Sequence, residues 1–401
     1  MSRMTDILRR ALADLDNVFR MELGVLLKDA GVLMFLVALP LFYPLLYSFI
    51  YTREVVREVP VCVVDESCTP LSREFLRRVD ASPGCRIVAR AADMREARAL
   101  IGRREAYGIV ALPADFSSSL ERGGRTHVSV FCDMSGMLYY KALVMACTDV
   151  SLGMNADIKV KRAPGDTERQ DDVTRRPLRY ESVSLYNPQG GYAAFLIPAV
   201  LVLVLQQAVL LGVGMAGGTL REQNALVRLD AVRRRRFGLL RIAAARAAAC
   251  LVVCIPAAFY VLGVVPRLFR LPHLASASDF CLVVAPFLLA VVFFAHTVGA
   301  LVRRRENAIL LIVFTSVPLL FLSGVSWPGT AIPGFWRCVG MAFPSTFGVN
   351  ACVRLQSMGA DLSAVRGEVA ALWLQAGVYF ALWLFFMRRR LGEARRTASG
   401  S

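Results

Sequence analysis

Phosphate-cradling chemistry is missing from this sequence. No G-x-x-x-x-G-K-[ST] occurs, and no glycine is followed by lysine, so the chain holds no nucleotide in the P-loop manner. Histidine is scarce. His127, His273 and His296 are the whole set, with no metal-ligand spacing and no H-E-x-x-H. No G-x-S-x-G nucleophile elbow is present either. Lysine supplies only four of the 47 basic residues, a bias from which no recognition follows. Charge of any sign is thin, at 19% of 401 residues, where soluble domains carry about 25%. What fills the gap is apolar: 56% of the chain, with a mean hydropathy of +0.50. That excludes a disordered chain and argues against an ordinary soluble enzyme. The net charge of +16 then has three readings: nucleic acid, anionic lipid, or the cytoplasmic loops of a membrane protein.

Six uncharged runs decide among them. They are Gly31–Tyr51, Ser182–Leu220, Ala247–Pro266, Phe280–Val302, Asn307–Trp336 and Val369–Met387. About 20 apolar residues cross about 30 Å of hydrocarbon. The runs predict spans at 29–52, 192–219, 247–266, 280–302, 307–326 and 367–387. The first is too long for a signal-peptide core, and Tyr51-Thr52-Arg53 lacks a small-x-small site, so it reads as a retained span. Arginines crowd alternate connections: Arg3, Arg9, Arg10 and Arg20 before the first span, Arg221 to Arg246 between the second and third, Arg303–Arg305 between the fourth and fifth, and Arg388–Arg390 with Arg395 and Arg396 after the sixth. By the positive-inside rule both termini are cytoplasmic, in a cell inner (plasma) membrane. Topology thus accounts for the basic excess, and no nucleic-acid partner is expected.

The remaining segments have their own character. Residues 1–28 repeat apolar side chains at helical spacing (Ile7, Leu8, Leu12, Leu15, Val18, Phe19). This reads as an amphipathic helix in the cytoplasmic interface, with packing on a partner as the equal alternative. Residues 53–191 are long enough for a core of their own. Strands are expected at Val59–Val64, Arg86–Ala89, Tyr107–Leu112 and His127–Cys132, alternating with helices at Pro70–Val79, Met94–Arg103 and Ala114–Glu121. That alternation predicts a small α/β domain. A long return helix, 135–160, follows. The charged stretch 161–179, with Pro164 and Gly165, reads as a mobile excursion. Cys62–Cys68 and Cys338–Cys352 are the pairs open to disulfide formation in an oxidising space. His296, near the end of the fourth span, reads as a neutral helix-contact residue.

Four stretches in this order carry a family resemblance: Val59–Ser72 (VPVCVVDESCTPLS), Tyr107–Leu120 (YGIVALPADFSSSL), Tyr186-Asn187-Pro188 with Pro198, and Phe321–Pro328 (FLSGVSWP) followed by Ile332-Pro333 and Phe343–Phe347 (FPSTF). With six spans, the chain resembles the ABC-2 type membrane (permease) subunit of ATP-binding-cassette exporters. It is most similar to the subgroup with a large extracytoplasmic domain between helices 1 and 2. It departs from the family after the second span, where Gln223-Asn224 follows Arg221-Glu222 and the expected proline is absent.

The resemblance implies a polytopic α-helical membrane protein with a small α/β extracytoplasmic domain inserted between helices 1 and 2. The implied function is export of a hydrophobic or amphiphilic substrate such as a drug, lipid or glycolipid. No catalytic residue, cofactor or metal site is expected in this chain. ATP-Mg would sit on a partner ATPase subunit. Further implied partners are a second copy or a paralogous membrane subunit, a periplasmic adaptor and membrane lipids. The connection 220–246 is the candidate coupling element, through Arg221, Glu222, Arg233, Arg234, Arg235 and Arg236. For the arginine run, anchoring to anionic lipid is the competing role, at about 1 kcal/mol per arginine. Within the external loop 327–366, Trp327, Pro328, Pro333 and Pro344 mark a candidate re-entrant hairpin, and 388–401 is a cytoplasmic tail. The alternative reading is a membrane-anchored sensor or scaffold. It needs an output domain, and no cytoplasmic piece here exceeds about 30 residues.

Overall fold

The computed structural model describes residues 2–399 except 53–54, 164–166, 177, 179–182, 189, 223–228, 230–231, 236 and 303, and describes no side chain at 2–8, 10, 311–313 or 393–399. Arg53, Pro164, Gly165, Ser182, Gln223, Asn224, Arg236 and Arg303, named above, lie outside the described residues. The chain forms two compact units, one of Met1–Glu54 with Ser184–Ser401 and one of Val55–Val183.

The first unit opens with one long helix, α1 (Ser2–Lys28). Asp29 separates it from α2 (Ala30–Ile50), the first apolar helix. Asp29 has extended backbone, and its Oδ1 accepts from the N–H groups of Gly31 (2.9 Å) and Val32 (3.3 Å). Two of the orphan donors that open any helix are thereby satisfied. Over Met34–Ala38 the turns of α2 widen to π geometry just before Pro40. Proline has no N–H and crowds the preceding turn, and a wider turn accommodates both.

The inserted unit is built on a four-stranded sheet. Its elements are β1 (Val59–Asp65), α3 (Pro70–Asp80), β2 (Cys85–Arg90), α4 (Met94–Gly102), β3 (Gly108–Leu112), α5 (Phe116–Glu121), β4 (Ser129–Cys132), α6 (Met137–Arg162) and α7 (Glu168–Arg175). The strand order is β2-β1-β3-β4; β1 runs parallel to β2 and β3, and β4 antiparallel to β3. Val61 and Val63 of β1 face one core with Phe75, Leu76 and Leu143, while Cys62 and Val64 face another with Ala97, Leu100 and Ile109. Helices on both faces explain why β1 reads as an unbroken apolar run. Asp65 closes the turn after it: Oδ1 accepts from the amides of Ser67 (3.1 Å) and Cys68 (3.0 Å), and Oδ2 from the Ser72 hydroxyl (2.8 Å). Helix α7 lies inside the stretch 161–179, which has no apolar periodicity. A capping box starts it, with the Gln170 amide N–H donating to Thr167 Oγ1 (3.3 Å) and the Thr167 N–H to Gln170 Oε1 (3.2 Å). Cap chemistry, rather than a buried face, makes this helix.

The first unit continues with α8 (Tyr192–Glu222), α9 (Gly238–Leu268), α10 (Ala277–Leu301) and α11 (Arg305–Leu322). The short helices α12 (Gly334–Gly340) and α13 (Pro344–Gln356) follow, then α14 (Arg366–Ser399). Among the described residues, six helices are long and apolar enough to cross a membrane, namely α2, α8, α9, α10, α11 and the stretch Leu362–Gly392 ending in α14. Helix α8 is the axis, almost wholly buried against α2, α10, α11 and α13. Glycines let its neighbours close in. A Cβ on Gly218 would stand 2.9 Å from the backbone of Arg305, and one on Gly212 2.9 Å from Leu36. Small residues at crossings are what close helix packing in lipid requires. Helix α9 starts nine residues before Ala247, because Arg241 and Arg246 in its first turns have carboxylate partners on α1. Hydropathy ends a span at a charge; a paired charge lets the helix run on.

Candidate functional site

Two regions of the helical unit hold the residues singled out in the sequence. The first lies where the arginine-rich connections begin. Arg221 and Glu222 are the last residues of α8, the former partly buried and the latter exposed. Of the arginine run, Arg234 is exposed, and Arg233 Nη1 stands 3.9 Å from where a Cβ on Gly392 of α14 would be. Arg235 is ion-paired with Asp14 of α1, and Arg236 lies outside the described residues.

Three acids organise this region, and the sequence reading passed over all of them. Asp14 is buried and takes two arginines, Arg235 and Arg241, the latter through Oδ2 at 3.3 Å. Glu22, 1% exposed, accepts from Arg246 Nη2 of α9 at 2.9 Å through Oε1. Asp29 accepts from Thr219 Oγ1 of α8 at 2.9 Å and from Arg305 Nη2 of α11 at 3.4 Å. Burial pushes the Asp29 carboxyl up. The Thr219 hydroxyl, the amides of Val32 and Gly31 and the Arg305 charge outweigh it and hold the group below its usual range. The N-terminal segment therefore clasps α9 through Asp14 and Glu22, and α8 and α11 together through Asp29. The signal was available, because 14, 22 and 29 are spaced by about two helical turns and share a face. It was masked because acids on an amphipathic helix are ordinarily its wet side.

The second region lies between α11 and α13. Pro328 precedes a short 3-10 turn, Pro333 caps α12, and Pro344 occupies the first turn of α13, where a missing N–H leaves no bond unmade. Trp327, Phe335 and Trp336 are exposed. The α13 end of the segment is held at the middle of the bundle. Gln206, half-way along α8 and wholly buried, donates to Ser345 Oγ (3.0 Å) and accepts from the Ser345 N–H (2.7 Å). Gln375 of α14 donates to the Met341 carbonyl at 2.7 Å, and the Tyr379 hydroxyl donates to the Ala342 carbonyl. Phe343 packs edge-on against Phe294 of α10 at 5.7 Å. The irregular backbone at 341–345 thus has hydrogen-bond partners from two long helices, α8 and α14, and a ring contact from a third, α10.

His296 of α10 lies flat on Trp383 of α14, with centroids 4.2 Å apart and planes 8° from parallel. The ten cysteines are free thiols, including Cys62, Cys68, Cys338 and Cys352. Among the described residues, no group of three or more His, Cys, Asp or Glu side chains is placed to hold a metal ion.

Comparison with known proteins agrees with this architecture. The family described as ABC-2 family transporter protein matches residues 30–385. Two curated relatives, from Escherichia coli strain K12 and from Escherichia coli O157:H7, are each called "Probable multidrug ABC transporter permease YbhR". Each is 22% identical over 317 residues, covering 79% of this chain and 82% of the relative.

Proposed function

This chain belongs to the ABC-2 transporter family and is a multi-pass transporter membrane subunit, and from that premise we propose that it exports a hydrophobic or amphiphilic molecule under the drive of a separate ATPase subunit. The observation that carries the coupling part of the reading is the triple clasp. Asp14, Glu22 and Asp29 tie the N-terminal segment to the arginine-bearing ends of α9, α8 and α11. A push on any one of these ends is transmitted to the others, since breaking a buried ion pair costs about 3–5 kcal/mol. The ATPase docks on this face, against the connection after α8. Glu222, exposed at its start, is the contact, and Arg234 is an exposed arginine further along the same connection. ATP and Mg2+ bind on that partner.

The arginine distribution supports an inner-membrane location with both termini and the clasp in the cytoplasm. The unit Val55–Val183 then lies outside, at the exit or against a periplasmic adaptor. The segment Trp327–Ser345 is a re-entrant hairpin. Irregular backbone at membrane depth is tolerated where protein buries it, and the bonds from Gln206, Gln375 and Tyr379 do that. One subunit contributes six spans, so the export path forms between two membrane subunits, either two copies or a paralogous pair. The multidrug label of the relatives favours small amphiphiles as cargo.

The test is purification of the tagged chain in mild detergent, with mass spectrometry of what accompanies it. A stoichiometric P-loop protein is the expected result. In the reconstituted complex, Glu222→Gln lowers membrane-subunit-stimulated ATP hydrolysis. An unchanged rate removes Glu222 from the coupling face, and a chain that emerges alone even after crosslinking removes the ATPase account.

A further inference from the structure

Helices α3, α5 and α6 and the end of α7 wall an open cavity of ≈ 1040 Å3 in the α/β unit. Every residue lining it belongs to Val55–Val183. Its deep wall is the unit's own core. Phe75 of α3, Phe116 of α5 and Met154 of α6 line it while being only 2%, 3% and 6% exposed. Val128, partly buried against the same core, lines it as well. One polar atom there is unspent: the Thr126 hydroxyl is shielded from solvent and has no hydrogen-bond partner among the described residues. Arg125, Asp149, Lys159, Arg162, Arg175 and Arg176 also line the cavity, and all six are exposed. Water screens charges so placed, so the apolar wall decides what binds.

We propose that this cavity binds an acyl-chain amphiphile, its chain along Phe75, Phe116, Val128 and Met154 and an oxygen of its polar end on the Thr126 hydroxyl. Size permits a ligand, since small-molecule sites run to about 300–1,000 Å3. The two kinds of wall then select its chemistry. Water against a core's phenyl rings and thioether is displaced favourably by apolar matter. A purely apolar occupant leaves the Thr126 hydroxyl without a partner, which is costly where water is excluded. A purely polar occupant leaves the rings wet. An amphiphile satisfies both. The inference goes beyond the export reading and does not rest on it: the site belongs to the α/β unit, and a chain that emerges without an ATPase still carries it.

A built-in position tests the site. Gly153 of α6 lines the cavity, and a Cβ there meets nothing within 4 Å, so a large side chain enters the space without moving backbone. Ala156, one turn on, lines it too.

The full-length protein is reconstituted in phosphatidylcholine nanodiscs and photolabelled with a long-chain fatty acid carrying a diazirine, and the labelled peptides are mapped by mass spectrometry. Label on the six spans reports what has entered the bilayer and is the internal reference. The expected result is saturable label on peptides covering 116–128 and 149–162, competed by the unlabelled acid and by the monoacylglycerol of the same chain, but not by acetate. Each buried methylene is worth about fourfold in affinity. Gly153→Trp and, independently, Ala156→Phe displace several, and each weakens this label at least about tenfold relative to the spans. Gly153→Ala, too small to fill the space, retains it, which separates blocking from a change in α6 itself. Thr126→Val, which keeps the volume and removes the hydroxyl, weakens it by about two- to tenfold. Label confined to the spans, label on the unit that does not saturate, equal competition by acetate, or label that survives both Gly153→Trp and Ala156→Phe overturns the assignment.

Discussion

The two units of this chain solve the burial of polar groups in opposite ways. Among the described residues of Val55–Val183, the buried polar side chains are the hydroxyls of Ser72 and Ser117, and the acid–arginine pairs there, such as Glu74 with Arg77 and Arg78, lie at the surface. Its cores are apolar on both faces of a sheet, mostly Val, Leu and Phe on one and Ala with Val64, Leu100 and Ile109 on the other. The helical unit instead buries Asp14, Glu22, Arg246, Gln206, Gln356 and Gln375, and packs through Gly212, Gly214 and Gly218. A sheet surrounded by water gains its stability by taking apolar area out of that water. Helices in lipid gain nothing from mere apolar contact, since the lipid is as apolar as the partner helix. Close backbone approach and specific polar bonds must then select the arrangement. Polar residues inside the helical unit therefore specify geometry, while apolar residues inside the α/β unit supply stability.

The sharpest way to break this comparison is to remove one acid from the clasp. Glu22→Ala leaves Arg246 buried without a carboxylate and destabilises the helical unit by about 3–5 kcal/mol, read as a fall in the melting temperature of the detergent-solubilised protein. The double variant Glu22→Leu with Arg246→Met recovers most of that loss; a double variant as unstable as the single one would contradict a charge-based cost. In the α/β unit the equivalent blow is apolar. Leu143→Ala empties space against β3 and costs about 2–5 kcal/mol, measured on Val55–Val183 expressed alone, whose cores predict a cooperative transition of its own.

Glycines sharpen the contrast further. Gly218→Leu forces α8 off the Arg305 backbone, 2.9 Å away, and costs about 1–3 kcal/mol. Gly153 in α6 has nothing within 4 Å, so Gly153→Ala stabilises the α/β unit by about 0.5–1 kcal/mol. The smallest effect is chemical. Burial pushes the thiols of Cys85 and Cys132 up to about 11 and that of Cys147 up to about 12. At pH 8 these groups are therefore protonated and slow to alkylate. Iodoacetamide labels exposed Cys68 first in the isolated unit, and rapid labelling of Cys147 would mean that α6 opens readily.

Much of the architecture was legible because hydropathy and strand periodicity are local. The run VPVCVV was readable as a strand because four valines, Val59, Val61, Val63 and Val64, stand in one short uncharged stretch, and Thr69 was readable as a cap because its hydroxyl serves the Ser72 N–H, three residues on. Helix α7 was not, since a capping box with no buried face leaves no periodic trace. The roles of Asp14 and Glu22 were not legible either. Their partners, Arg235, Arg241 and Arg246, lie more than two hundred positions away, and an acid on an amphipathic helix looks alike whether it faces water or a buried guanidinium. Gln206 was invisible for the same reason, being one amide in an apolar run until Ser345 is placed beside it.

By itself, then, the sequence determined that this chain lives in a membrane, that its arginines gather at alternate ends of six apolar runs, and that the G-x-x-x-x-G-K-[ST] pattern does not occur in it. Those properties are sums over short windows, and no fold is needed to evaluate them. Tertiary structure alone decided which acid meets which arginine, which glycines sit at crossings, and that Phe75, Phe116 and Met154 from different helices wall one cavity. Each of those depends on the register between helices. In a bundle of near-equally apolar surfaces, register is set by a few polar bonds between distant positions rather than by any local pattern.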